Sequence, residues 1–260
     1  MEDCYKSAVN DFESYVNSYS GLTPEQQKNF LVKKEHTIRV LANTKHLAGA
    51  LNLAADEEQA AVMAAVFHDI GRFRQIAEYN TLNDAVSMDH AELSVEIIKG
   101  NQYCGNMPDV LLNLVFNSIL LHNKFELPRN LDGRELLLAR LLRDADKIDI
   151  LKVLTDYYSV KNQPANHMLT WELPKSPVAS SGVVKEIMAG KMVTKKEVKS
   201  ETDIKIMQLS WIYDINFKPS VELILRNRYL EKIYNSLPKN DQIFEIYRKI
   251  KVFAENKMME

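Results

Sequence analysis

Four histidines and two aspartates are the residues whose types and order most strongly suggest chemistry. His68 and Asp69 are adjacent, at the end of an apolar run from Ala60 to Phe67. A lone His-Asp pair is common by chance, so the pair gains meaning only from other donors that separate segments supply. Those further donors are His36, His90, His122 and Asp146. Together the six side chains predict one polar pocket.

Imidazole nitrogens and carboxylate oxygens in this combination are typical ligands of divalent transition metals. They suit Fe, Mn, Zn, Ni or Co, and a carboxylate can bridge two ions whereas each imidazole binds one. Four imidazoles and two carboxylates are therefore enough for one or two ions, with positions left for water and substrate. Adjacent helical residues point about 100° apart, so His68 and Asp69 can share an ion only if it lies between their side chains, which a helix end permits.

Helical spacing favours Asp146 over its neighbours as the late carboxylate ligand. Residues three, four and seven apart share a helix face, and Asp146 shares its face with apolar side chains such as Leu142. Asp144 lies four residues from Arg140, which suggests a surface ion pair. Asp149 lies three residues beyond Asp146 and is a candidate to orient an imidazole through its distal nitrogen.

The elements that must position these residues are predicted to be helices throughout. Only 8 Gly and 8 Pro occur in 260 residues, and apolar positions recur at three- and four-residue steps. Thr23-Pro24-Glu25-Gln26 combines an N-cap, a proline in the first turn and a capping-box glutamine. Capping and stop signals predict helices at about 24–52, 56–71, 89–100, 108–121, 134–158, 201–217, 221–237 and 241–258.

The fold class is therefore predicted to be all-α, with a helical bundle and additional C-terminal helices. The segment Lys161 to Gly182 carries three prolines and Ser180-Ser181-Gly182, which is typical of a loop or lid. We expect a metal-binding helical domain at 1–160. Residues 161–260 would form the lid and a C-terminal helical extension packed on the same domain.

Composition excludes several classes of function. The chain has 46% apolar and 26% charged residues and a net charge of −2, without a long block of like charges, so nucleic acid is not the expected partner. The longest apolar stretch, Val110 to Leu121, falls short of the about 20 residues of a spanning helix. Two cysteines and the absence of an apolar leader favour the cytoplasm. The oligomeric state is not predicted.

The order H…HD…H…H…D resembles the HD-domain superfamily of metal-dependent phosphohydrolases. The resemblance covers about 30–158 and is carried by HDIGRF at 68–73, DHAEL at 89–93, LLHN at 120–123 and RDADKID at 143–149. It implies an all-helical fold in which His36, His68, Asp69 and Asp146 hold one metal. His90 and His122 would hold a second ion, with Asp69 bridging the two.

The sequence differs from particular branches of the superfamily, and these differences argue against their substrates. Cyclic-di-GMP phosphodiesterases usually show HDIGK, a GYP segment and a His-His pair, whereas this chain has Arg72, no such segment and His122 alone. The synthetase region of alarmone enzymes is absent. The ligand order is equally similar to that of the di-iron oxygenases of the superfamily, so ligand order alone does not separate a hydrolase from an oxygenase.

The leading expectation is a phosphohydrolase in which metal-activated water attacks phosphorus in a nucleotide or other small phosphate ester. Asp69 and His68 are its expected catalytic residues. Cationic side chains near the ligands in sequence are candidates to bind the substrate phosphate: Arg72, Lys124, Arg143 and Lys147. A di-iron oxygenase and a non-catalytic module that keeps a metal for stability are the alternatives.

Overall fold

The structure is a computed structural model that describes residues 2–105, 107–160, 171 and 173–259. Most of this part of the chain is helical and no strand occurs in it, so the all-α prediction is confirmed. The helices are α1 (Glu2–Asn17), α2 (Pro24–Ala50), α3 (Ala55–Phe67), α4 (Ile70–Tyr79), α5 (His90–Gly100), α6 (Asp109–His122), α7 (Gly133–Ser159), α8 (Ser181–Met188), α9 (Glu201–Ser210), α10 (Lys218–Arg226), α11 (Tyr229–Asn235) and α12 (Asp241–Met259). None of these helices is long and apolar enough to cross a membrane.

The chain divides into two compact units, residues 1–146 and 147–260, with the division inside α7. The predicted domain boundary near residue 160 stays a prediction, because residues 161–170 lie outside the described residues. Most of the predicted lid lies there too. The predicted end of this loop at Gly182 was wrong, because Ser181 and Gly182 belong to α8.

Helix α2 begins as its sequence predicts. The side chain of Thr23 accepts from the backbone N–H of Gln26, and the Gln26 side chain accepts from the N–H of Thr23. This reciprocal capping satisfies two of the donors that a helix N-terminus leaves open. The helix then runs unbroken past His36. Seven residues beyond, Asn43 donates to the carbonyl oxygen of Ala145, which ties α2 to α7.

Helix α3 is the central helix of the first unit. Its last eight residues, Ala60 to Phe67, are all buried, and it packs against α1, α2 and α6. A helix that is apolar on all sides must be surrounded by others. The predicted start at Asp56 was slightly late, because the N-cap is Ala54, whose backbone N–H donates to the side chain of Glu57.

Gly71 does not stop a helix, contrary to the sequence prediction. Helix α3 ends at Phe67, α4 begins at Ile70, and Gly71 lies in the first turn of α4. Its role is close packing instead. A Cβ at this position would lie 2.5 Å from the carbonyl oxygen of His90 and 2.8 Å from the backbone nitrogen of Ser94. The backbones of α4 and α5 can approach this closely only because residue 71 has no side chain.

Two further elements of the first unit differ from their predictions. Helix α1 was not predicted, yet its Phe12 is fully buried and meets Phe73 of α4 edge to face, with 5.5 Å between ring centroids. Asp144 was expected to form a surface ion pair, but it is fully buried, while Arg140 is exposed. The spacing of two residues along a helix predicts that their side chains are neighbours, but it does not predict whether other helices cover them. The burial of Asp144 therefore could not be predicted from its spacing to Arg140.

Helices α8 to α12 belong to the second unit, and two of the predicted helices here are broken. The predicted helix at 201–217 ends at Ser210 and continues as a 3₁₀ turn, Trp211–Asp214. The predicted helix at 221–237 is divided into α10 and α11, because Arg228 between them is left-handed, with φ 57°. A left-handed residue ends an α-helix, and an arginine gives no sequence signal for it.

Replacing Gly71 with Ala should destabilise the protein by about 1–3 kcal/mol, because the new methyl group overlaps two backbone atoms of α5. Urea unfolding measures the loss. Gly49→Ala is the matched control, since Gly49 is also helical and a Cβ there meets nothing within 4 Å. That control should be neutral or stabilising by up to about 1 kcal/mol. Equal stability of the two variants would contradict the close packing.

Candidate metal centre

The structure brings all six predicted ligands together in the first unit. They come from five places in the chain, namely four helices and one junction between helices. His36 lies in the middle of α2, His68 and Asp69 connect α3 to α4, and His90 is the first residue of α5. His122 is the last residue of α6, and Asp146 lies within α7. Five of the six are buried, and the side chain of Asp146 is 14% exposed.

The first group of donors consists of His36, His68, Asp146 and one oxygen of Asp69. The Nε2 atom of His36 lies 3.3 Å from Nε2 of His68, 3.1 Å from Oδ1 of Asp146 and 3.6 Å from Oδ2 of Asp69. The Nε2 atom of His68 lies 3.7 Å from the same Asp69 oxygen and 3.9 Å from Oδ1 of Asp146. The ligand atoms of His36, His68 and Asp146 lie within 4.8 Å of one another and could hold one ion, and Oδ2 of Asp69 lies beside the two histidines.

The second group consists of His90, His122 and the other oxygen of Asp69. The Nε2 atoms of the two histidines are 3.0 Å apart, and they lie 3.4 Å and 3.8 Å from Oδ1 of Asp69. The Asp69 carboxylate therefore stands between the two groups, with one oxygen facing each. This is the arrangement of a carboxylate that can bridge two ions.

Hydrogen bonds fix which ring nitrogen of three imidazoles carries the proton. Nδ1 of His68 lies 2.8 Å from the carbonyl oxygen of Ala65, and Nδ1 of His122 lies 2.6 Å from that of Ile119. A carbonyl oxygen only accepts, so each Nδ1 donates and each Nε2 keeps its lone pair for the common centre. Nδ1 of His90 lies 2.6 Å from Oδ2 of Asp84 and donates to it, which leaves Nε2 as the ring nitrogen that faces the second group.

The donor set fits divalent metal ions. Ligands bound to one ion at about 2.0–2.1 Å lie about 2.9–3.4 Å apart at angles between right and tetrahedral, which spans the shortest distances in both groups. The Nε2 atoms of His90 and His122, 3.0 Å apart, are within this range. Burial also lowers the pKa of His68 and lowers that of His122 to about 3, so both rings stay neutral, as metal binding requires.

Asp84 is a site residue that the sequence did not reveal. It lies in a short 3₁₀ turn, Asp84–Val86, six residues before His90, and no periodicity or motif marks it. Its Oδ2 holds His90, and its Oδ1 accepts from Nη1 of Arg72 at 2.7 Å and from Nε2 of Gln75 at 2.9 Å. Burial works to raise the pKa of Asp84, but the bond to His90 and the charge of Arg72 keep it below its ordinary value.

Lys33 is the second residue that sequence reasoning missed. Its Nζ lies 2.7 Å from Oδ2 of Asp69, and its side chain is 17% exposed. Burial works to raise the pKa of Asp69, but the positive charges of Lys33 and Arg72 hold it well below its ordinary value. The signal was available: Lys33 precedes His36 by three residues, so the two side chains share a face of α2.

Polar contacts next to the ligands hold α5 and α6 together. Asp89, the N-cap of α5, accepts from the backbone N–H of Ala91, from Nδ2 of Asn123 at 2.8 Å and from Nζ of Lys124 at 2.7 Å. Asn123 and Lys124 directly follow His122, so this clasp joins the two chain segments that carry the second group. The predicted role of Lys124 in phosphate binding stays a prediction, and in the structure its Nζ contacts Asp89.

Two of the other predicted phosphate-binding residues also have structural contacts. Arg143 is 1% exposed, and its Nη1 donates to the carbonyl oxygens of Leu121 at 3.0 Å and Lys124 at the C-terminus of α6. Lys147 belongs to the second unit, where its Nζ lies 2.7 Å from Oδ2 of Asp214. Asp149, the predicted orienting carboxylate, is buried in the same unit. Their functional roles stay predictions.

Arg72 differs from those cations because it faces the donors directly. Its Nη1 donates to Gln75, to the carbonyl oxygen of Leu82 and to Asp84, at 2.6–2.8 Å. Its Nη2 lies 3.4 Å from Nε2 of His90. Its Nε is buried without a hydrogen-bond partner, 3.7 Å from Oδ1 of Asp69. One end of the guanidinium is thus anchored, and the other is directed at the second group.

The neutral imidazoles predict acid sensitivity of the metal-free protein. Burial lowers the pKa of His122 from its ordinary value of 6.5 to about 3 in the folded protein. Between these two pH values the unfolded state therefore binds more protons than the folded state. The free energy of unfolding should therefore fall as the pH is lowered from about 6.5, by up to about 1.4 kcal/mol per pH unit for each such histidine. Urea unfolding at about pH 7, 6 and 5 measures the slope.

Two substitutions test whether His122, rather than other titrating groups, causes the loss of stability at low pH. His122→Gln should make the slope shallower, because the proton-binding difference is removed. His46→Gln should leave it unchanged, because His46 is exposed and lies outside both donor groups. A slope that is the same in all three proteins would contradict the assignment.

Comparison with known proteins places this centre in a family. The family model of the HD domain matches residues 34–151, a segment that contains all six donors as well as Asp84 and Arg72. No curated protein and no solved structure matched the chain. Residues 34–151 therefore form an HD domain, as the motifs of this segment predict, and the match covers less than half of the 260-residue chain.

Proposed function

We propose that this protein is a metal-dependent phosphohydrolase that acts on a nucleotide or another small phosphate ester. One observation carries the proposal: the Asp69 carboxylate lies between two sets of imidazoles, and the unpaired Nε of Arg72 lies beside it. Such a site can hold two cations and receive an anion next to them. The family match supports the same class of reaction.

The residues that would hold the metal follow from the two donor groups. His36, His68, Asp146 and Oδ2 of Asp69 would bind one ion, and His90, His122 and Oδ1 of Asp69 would bind the other. A bound divalent ion supplies Lewis acidity, which lowers the pKa of a coordinated water and stabilises charge on phosphate oxygens. Asp69 and His68 are the residues on which this chemistry depends most.

The protein's own contribution is to orient the imidazole rings and to stabilise the charge of Asp69. The backbone carbonyls of Ala65 and Ile119 hold the rings of His68 and His122 in the tautomer that binds. Lys33 keeps Asp69 ionised through its contact with Oδ2. The Nε and Nη2 edge of a guanidinium matches two oxygens of a phosphoryl group, so Arg72 is the best placed of the predicted cations to bind substrate.

The surroundings of Asp69 favour a hydrolase over the two alternatives. Lys33 and Arg72 both contact this carboxylate, and two cations at a metal centre suit an anionic substrate. A di-iron oxygenase would use the same six donors, and iron with oxygen uptake but no phosphate release would support it. A protein that retains metal but turns over nothing, whichever metal is supplied, would support a non-catalytic module.

Asp69→Asn should lower phosphate release by about 10³-fold or more, because the amide removes the charge that both donor groups share. The assay is phosphate release from a panel of nucleoside monophosphates and other phosphate esters, with Mn²⁺, Fe²⁺, Co²⁺, Ni²⁺ or Zn²⁺ supplied in turn. Glu92→Gln is the matched control, since Glu92 is an exposed carboxylate two residues after His90. It should retain full activity.

Two results would contradict the proposal. The first is full activity of the Asp69→Asn protein after metal removal. The second is the absence of phosphate release by the wild-type protein, fully loaded with each metal, across the whole panel.

A further inference from the structure

Arg72 contacts the same nitrogen that a second ion would need. Its Nη2 lies 3.4 Å from Nε2 of His90, the ring nitrogen that is left for an ion because Nδ1 donates to Asp84. A lone pair can accept a hydrogen bond from Arg72 or bind an ion, and it cannot do both. An ion in the second group must therefore take this acceptor away from Arg72.

The rest of the guanidinium cannot turn away to find another partner. Three acceptors, Gln75, Leu82 and Asp84, hold Nη1 in place. The adjacent Nε already lacks a hydrogen-bond partner and is buried. Once Nη2 has lost His90, the whole Nε and Nη2 edge is left with unsatisfied donors in a largely buried place, which is unfavourable.

An oxyanion would satisfy that edge. Two oxygens of a phosphoryl group can accept in parallel from Nε and Nη2, and such charge-assisted pairs are stronger than neutral hydrogen bonds. Divalent ions in the two groups would add positive charge beside Lys33 and Arg72, which also favours an anion here.

We propose that the second ion and a phosphate oxyanion bind to this centre as a coupled pair, with Arg72 as the residue that couples them. The proposal rests on the metal centre of the proposed function. Asp84 is the positioning residue for both sides, because one of its oxygens orients His90 and the other anchors Arg72. Each ligand therefore binds more tightly when the other is present, by the same factor.

The test measures how many Mn²⁺ ions the metal-free protein binds at equilibrium, with and without inorganic phosphate. Equilibrium dialysis followed by elemental analysis gives this number without an activity assay. We expect phosphate to tighten binding of the second ion by about tenfold or more and to leave the first ion nearly unchanged. Phosphate affinity, measured with and without saturating Mn²⁺, should change by the same factor.

Arg72→Met separates this coupling from simple bridging of the ions by phosphate. The variant should bind two ions with little or no effect of phosphate, because the donors that need an anion are gone. Arg74→Met is the matched control: Arg74 lies on the same helix and pairs with Glu78 and Glu96 at the surface. It should show the full phosphate effect.

Asp84→Asn tests the positioning role. An amide has one accepting oxygen, so it can serve His90 or Arg72 but places its NH₂ against the other donor. We expect a 10–100-fold loss of affinity for the second ion, the usual size for the loss of an orienting carboxylate, with the first ion retained. A merely structural role would weaken both ions alike.

Several outcomes would overturn the coupling. These are a second ion that binds equally well without phosphate, an undiminished phosphate effect in Arg72→Met, and a wild-type protein that binds fewer than two ions in the presence of phosphate. A protein that binds no Mn²⁺ at all would also remove the metal centre. Intact coupling with no hydrolysis of any ester would contradict only the proposed reaction.

Discussion

The rest of the centre depends on the shared Asp69 carboxylate. One side chain at the junction of α3 and α4 presents each of its oxygens to a different set of imidazole nitrogens. Burial of this charge is costly, and Lys33 together with the neighbouring cations offsets that cost, so the carboxylate stays ionised. The geometry of both donor groups follows from where this single residue is held.

Helices α4 and α5 pack closely beside Asp69. Ser94 connects the two chain segments: its Oγ lies 2.8 Å from the carbonyl oxygens of both His68 and His90 and accepts from the N–H of Gly71 at 2.9 Å. Any side chain at position 71 would separate these segments. Backbone contacts of this kind leave little freedom to the ligands, which is the condition for a preorganised metal site.

Sequence reasoning predicted the parts that carry a local signal. The capping box at Thr23 and the helix start near Asp89 are local signals, and both helices begin where predicted. The order of the six donors was also visible, and the structure brings these residues together. Asp84 could not be predicted, because its partners come from α4 and α5 and only the folded chain brings them to an irregular turn. For the same reason the burial of Asp144 was missed.

The most direct test of the account is a crystal structure of the Mn²⁺-loaded protein with anomalous diffraction data, which locate the ions without assumptions about their ligands. We expect two anomalous peaks, one among His36, His68 and Asp146 and the other between His90 and His122, and we expect an oxygen of Asp69 to bind each ion. Peaks elsewhere on the chain, or ions that do not touch Asp69, would contradict it.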